Sequence, residues 1–100
     1  MTGLLPDLDN AGSVVTALAD VRMMVVGDAM LDVWIDGPVR RVSPEAPVPV
    51  VEMVDRFSRL GGAANVAGLA AHLGSAVTVV GGVGDDPAGA QLAGILDGAG

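Results

Sequence analysis

Apolar positions recur along this chain in distinct rhythms, and each predicts an element. Val21 to Gly27 (V-R-M-M-V-V-G) is a short apolar run ending in glycine, the pattern of a central parallel strand. From Asp28 to Asp36 the rhythm becomes two: Leu31, Val33 and Ile35 alternate with Asp32, Trp34 and Asp36, which predicts a half-exposed strand. Pro38, Pro44, Pro47 and Pro49 exclude a central strand or a helix from the next stretch, and Val50 to Val54 then resumes as an edge-type strand. Gly62 to Leu73 switches to helical spacing, with Val66, Leu69, Ala70 and Leu73 on one face and Gly74 as the stop. Ala76 to Val80 is a further buried strand. Asp86-Pro87 places an acidic cap and then proline at the first helical position, and that helix runs to about Asp97 before Gly98-Ala99-Gly100. Ahead of all this, Met1 to Asn10 reads as a frayed leader and Ser13 to Asp20 as a short helix starting near Ser13 or Asn10. A right-handed helical crossover is the expected link between parallel strands at Met23–Gly27 and Ala76–Gly81.

Composition narrows the fold to α/β. Hydrophobic residues make up 51% of the 100 positions, mostly Ala and Val, and 15 are glycine, which suits close helix–sheet contacts. A mean hydropathy of +0.58 is too apolar for a disordered chain. The net charge is -7 and every cation is arginine, so a basic surface for nucleic acid or an anionic membrane is not expected. Cysteine is absent, which removes disulfides and thiolate metal sites and fits a cytoplasmic enzyme. The uncharged stretch Leu60 to Gly84 is long enough for a membrane span. Seven glycines punctuate it, with Asn65 and His72, and its pattern divides at Gly74 into a helix and a strand, so a buried pair of elements is expected instead.

Ligands of open α/β sheets bind beyond the carboxyl ends of the strands. Three loops are expected at that rim: Gly27-Asp28 with Asp32 a little further on, Gly61-Gly62 at the start of the crossover helix, and Gly82-Val83-Gly84-Asp85-Asp86. Glycine admits close approach to the backbone, helix-initial amides donate outward, and the Asn65 amide both donates and accepts. Acidic and amide groups without lysine suit a neutral polyol better than a nucleoside triphosphate. Asp32 and Asn65 are read as ligand contacts; Asp28 and Asp86 are read as turn formers or caps, with Asp85 open between the two roles. His72 has no second histidine or cysteine to share a metal, and Trp34 suits either a sugar face or a subunit contact. Met23, Met24, Met30 and Met53 read as core or lid packing.

Four blocks together resemble the start of a ribokinase-like (PfkB-family) sugar kinase: V-V-G-D-A-M-L-D, R-R-V-S-P-E-A-P-V-P-V-V, L-G-G-A-A-N-V-A and V-G-G-V-G-D-D. The second block is similar, more narrowly, to the heptose 7-phosphate kinase domain of bacterial ADP-heptose biosynthesis enzymes. The resemblance covers about Val21 to Gly100 and implies the N-terminal part of a three-layer α/β/α fold with a small β lid. It implies that Asp32, Gly61, Gly62 and Asn65 hold sugar hydroxyls. It also implies that strands within residues 30–54 close over the sugar and pair between subunits of a homodimer. Arg40 or Arg41 is a candidate fork donor to the sugar phosphate, against an ordinary role in a solvated turn.

ATP and Mg2+ are expected for the complete enzyme. The family's catalytic aspartate and nucleotide pocket lie downstream, so neither catalytic nor cofactor-binding residues nor a metal site are expected in this chain. Walker A is excluded by the lack of lysine, and Gly82-Val83-Gly84 lacks the third glycine of a dinucleotide fingerprint. The chain alone is therefore expected to transfer no phosphate, and to be of low stability or to associate. Two alternatives stand beside this reading: a PfkB-family kinase for another sugar or nucleoside, and a short non-catalytic module that pairs through its lid strands.

Overall fold

A computed structural model describes residues 8–99. The expected leader lies largely outside the described residues. After a 3-10 turn at Leu8–Asn10 come α1 (Ala11–Ala17), a second 3-10 turn (Leu18–Asp20), β1 (Arg22–Val26), β2 (Ala29–Asp36), β3 (Val39–Val42), β4 (Pro49–Val51), β5 (Asp55–Gly62), α2 (Ala63–His72), β6 (Ala76–Val80) and α3 (Pro87–Gly98). The class is α/β, as the sequence predicts.

β1 and β6 pair in parallel, Arg22 opposite Ala76 through Val26 opposite Val80, with α2 as the crossover between them. Alternation sets the faces of this pair. Met23, Val25, Val77 and Val79 are half-buried, whereas Met24, Val26, Thr78 and Val80 are exposed. Both long helices cover the same side: Ala67, Gly68 and Ala71 of α2 and Leu96 of α3 meet over Val77 and Val79. The opposite face stays open, with Met24 65% and Val26 71% exposed. One helical layer thus covers one face of a two-stranded sheet. Among the described residues the buried apolar core is only Ala64, Ala67 and Leu92. The radius of gyration is 18.9 Å, against roughly 13 Å for a compact domain of this length.

The N-terminal segment is tied down by polar contacts. The Ser75 hydroxyl donates to the Leu18 carbonyl (2.7 Å), and the Ala76 amide to that of Val21 (3.0 Å). Gly74 turns the chain after α2 at φ +103°, a conformation that glycine adopts without strain.

Residues 29–62 depart from the sheet as two antiparallel ribbons, β2 with β5 and β3 with β4. Here the sequence expectations need correction. The proline-rich stretch holds no central strand or helix, as its prolines require, but it does contain the outer ribbon strand β3, and β4 opens on Pro49, a first-residue position where no ladder bond is required of proline. The strand expected over Val50 to Val54 is the shorter Pro49–Val51. β5 was not predicted, because its residues (D-R-F-S-R-L-G-G) carry few apolar side chains and its terminal glycines look like a helix start. It pairs along all of β2, from Ala29 opposite Gly62 to Asp36 opposite Asp55. Met30 and Met53 lie exposed in the ribbon segment, and Met24, read as core or lid packing, is exposed on β1.

Candidate functional site

The ends of β1 and β5 and the starts of β2 and α2 meet around Asp28. The Gly27 amide donates to the Val80 carbonyl (3.1 Å), carrying the parallel ladder one residue beyond β1. The Asp28 carbonyl then accepts from the Ala63 amide (2.9 Å). One of the unpaired helix-initial donors is thereby satisfied from within the chain rather than left for a ligand. Asp28 thus acts through its main chain, in line with the structural role read from the sequence.

Gly61 and Gly62 do different work. Gly62 ends β5 and caps α2 at φ 56°, ψ -134°, a region essentially restricted to glycine. A Cβ there would overlap the Asp28 carbonyl and come within 2.6 Å of the Met30 Cε. Gly61 is buried, and a Cβ on it would lie 2.5 Å from Oδ1 and 2.6 Å from Cγ of Asp32. The Asp32 carboxylate therefore rests against bare backbone. Asp32 itself is exposed, and no hydrogen bond or ion pair engages it among the described residues. Asn65 occupies the third position of α2, exposed, with no hydrogen bond to its side chain among the described residues. Asp32, Gly61, Gly62 and Asn65 thus stand around one junction of two strands and a helix.

The remaining sequence candidates lie elsewhere. Arg40 and Arg41 are exposed on β3, in the separate ribbon, with an irregular register between Val39 and Arg41. Gly82, Val83, Gly84 and Asp86 line an open groove of about 170 Å³ together with Ala29 and Leu31 of β2. Those β2 positions alternate with Asp32, so the groove adjoins the other face of the strand. Asp85 is exposed and does not line it. Two of the three expected loops therefore meet at Asp32, and the third packs behind it. The Asp86 side chain accepts from the Gly89 amide (2.7 Å) and caps α3, as its Asp-Pro setting predicts.

Sequence reasoning missed Arg59 and Phe57 because β5 was not recognised. Trp34 and Phe57, the only aromatic residues of the chain, lie directly opposite each other and stack, with ring centroids 6.1 Å apart and an interplanar angle of 4°. The Arg59 guanidinium carbon sits 5.1 Å from the Phe57 ring centroid. Arg59 is itself opposite Asp32. A better signal was available in the period-two pattern Asp55, Phe57, Arg59, Gly61.

The described residues do not fit a Mg-nucleotide site. No three His, Asp or Glu side chains among them gather to hold a metal, the chain has no lysine, and the first amide of α2 is bonded to the Asp28 carbonyl. No helix among the described residues is long and apolar enough to cross a membrane.

Comparison with known proteins identifies the family of the chain. Residues 21–100 match the pfkB family carbohydrate kinase model. The chain is 55% identical over 75 residues to a D-beta-D-heptose 7-phosphate kinase of Bordetella bronchiseptica, covering 75% of this chain and 24% of that protein. It is 45% identical over 83 residues to the bifunctional protein HldE of Rhodospirillum rubrum, and 49% over 81 residues to HldE of Caulobacter vibrioides; these cover 83% and 81% of this chain and 17% of each relative. The chain thus spans about a quarter or less of the length of these curated relatives. With a family match over most of its length and a partial ribokinase-like α/β fold, the chain belongs to the pfkB family of carbohydrate kinases.

Proposed function

We propose that this chain forms the sugar-binding part of an ATP-dependent kinase that phosphorylates heptose 7-phosphate at O1, in the supply of ADP-heptose for lipopolysaccharide or another surface glycan. The observation that carries the reading is the Asp32 carboxylate laid against the Cβ-free backbone of Gly61, with the unengaged amide of Asn65 in the first turn of the helix that Gly62 caps. A carboxylate accepts from two neighbouring hydroxyls, and the amide both donates and accepts, which matches the alternating needs of a polyol. The bare glycines let a sugar ring approach the main chain.

A phosphoryl acceptor must be oriented and kept from water, or the donor is hydrolysed instead. The β2–β5 ribbon springs from the same junction and is suited to that closure. Its exposed Val33 and Ile35 and its unpaired edges suit contact with a second subunit, so a homodimer through these strands is part of the proposal. Arg40, Arg41 and Asp85 are secondary candidates for the sugar phosphate or a hydroxyl. A cytoplasmic location, with ATP and Mg2+ as co-reactants, completes the reading.

The test is turnover of heptose 7-phosphate with ATP by the full-length gene product, with 31P NMR to fix the position modified. Phosphate arriving at O1 is the expected result. Efficient turnover of ribose, adenosine or a fructose phosphate, with none of heptose 7-phosphate, would move the chain to another branch of the family. The isolated segment 1–100 is expected to transfer no phosphate to any of these sugars.

A further inference from the structure

We infer that Arg59, on the same ribbon face as Asp32, is the residue that recognises the phosphate of a sugar phosphate substrate. The inference rests on the sugar phosphate reading above and assigns the anion contact within it.

Placement comes first. The chain has five cations, all arginine, in a molecule of net charge -7. Arg22 is on β1, and Arg40 and Arg41 are on the outer ribbon. Arg56 and Arg59 are both on β5, three positions apart, so they point to opposite faces. Arg59 alone is directly opposite Asp32 and two positions from Gly61, hence on the face where the carboxylate meets the bare backbone.

Geometry comes second. Two opposite charges facing each other across an antiparallel pair are placed to form an ion pair. Asp32 and Arg59 do not form one. The guanidinium lies on the Phe57 ring instead, and that ring is backed by Trp34. Both aromatic side chains of the protein are thus used to hold one guanidinium beside, and not upon, the carboxylate. A cation stacked on an aromatic face keeps its N–H edges outward, and arginine's planar fork matches a phosphate in two parallel bonds. The stack orders the arginine before any anion arrives, which lowers the entropy lost on binding. Separation of acid and base along one face fits a ligand with hydroxyls at one end and an anion at the other: Asp32 and Asn65 take the hydroxyls, and Arg59 takes the phosphate.

The experiment uses the full-length gene product with heptose 7-phosphate and ATP. Arg59→Met keeps the stem and removes the fork. It is expected to raise KM for the sugar phosphate roughly 10- to 100-fold, the worth of charge-assisted bonds to phosphate, with kcat within about three-fold. Competitive inhibition by inorganic phosphate should weaken in parallel, whereas KM for ATP should not change. Arg56→Ala, on the opposite face of β5, is the control and should leave KM nearly unaltered, and Arg40→Ala and Arg41→Ala are measured beside it. An unchanged KM in Arg59→Met, or a selective rise in Arg40→Ala or Arg41→Ala, overturns the assignment while the sugar phosphate reading stands. A wild-type protein that phosphorylates only sugars without phosphate overturns both. If Arg59→Met does not fold, Arg59→Lys carries the test, since it keeps charge and stem without the fork. A KM raised several-fold is then expected, and a wild-type KM contradicts the inference.

Discussion

Around Asp28 four segments meet with almost no side-chain volume between them, whereas Arg40 and Arg41 stand on a ribbon whose four β3 residues are all exposed. At the junction, Gly27, Gly62 and Gly81 each lack a Cβ where one would press on a neighbouring segment, and the Asp28 carbonyl ties β1 to α2. Asp32 inherits its position from this backbone. The outer ribbon is constrained only where it joins the rest, at Gly37, where a Cβ would overlap the Glu52 carbonyl, and by main-chain bonds such as Val54 to Asp36 (2.8 Å); beyond that joint, β3 is exposed along its length. The contrast separates residues placed by the local fold from residues whose placement depends on what they meet. The former can be preorganised for a ligand; the latter act only when something closes on them.

The sharpest way to break this comparison is to add volume at the junction. Gly61→Val in the full-length gene product drives a branched side chain into the Asp32 carboxylate, and kcat/KM for the sugar should fall at least about 100-fold, as misplacement near a reacting group does. If steady-state kinetics show less than a few-fold loss, the junction does not hold the sugar.

Asp32→Asn keeps the shape and removes the charge. KM for the sugar should rise roughly 10-fold or more with the melting temperature unchanged, because no partner is lost on folding. Gly62→Ala is read through stability: backbone strain at φ 56° should cost about 1–3 kcal/mol in denaturant unfolding, with the overlap at the Asp28 carbonyl in addition. Arg40→Ala and Arg41→Ala form the other side of the comparison. Both should change unfolding free energy by less than about 0.5 kcal/mol, since exposed charges without partners add little. A loss above 2 kcal/mol in either would place the outer ribbon among the locally determined parts.

The helices and the parallel pair were legible because their signals are local. Asp86-Pro87 and Gly74 mark helix ends by backbone chemistry, and V-V-G and A-V-T-V-V mark buried strands by continuity. In the ribbons β2 was legible from its alternation, whereas β5 was not, because its faces are largely open and nothing enforces alternation of apolar and polar residues. β5 carries Arg56, Ser58 and Arg59, and only its partner β2 makes it a strand. Gly61-Gly62 was recognised as a site but not as a strand end, since glycine permits both conformations. The Gly82–Asp86 loop stands at the expected rim, beside Gly27 and Ala29, but which face of β2 it meets is not carried by sequence: it meets Ala29 and Leu31, on the face alternate to Asp32. The thin core was foreseeable from few aromatics and many glycines. The open apolar face of β1–β6 also fits the expectation that segment 1–100 alone associates, which size-exclusion chromatography would show as species above 9.9 kDa.

The central claim is that Asp32, set against Gly61, holds the hydroxyls of a phosphorylated sugar for a kinase. Steady-state kinetics of the full-length gene product and its Asp32→Asn variant, with ATP and heptose 7-phosphate, test it most directly. The account predicts turnover by the wild type and a sugar KM raised at least about 10-fold in the variant, with KM for ATP unchanged. Wild-type kinetics in the variant, or a loss confined to ATP, would contradict it.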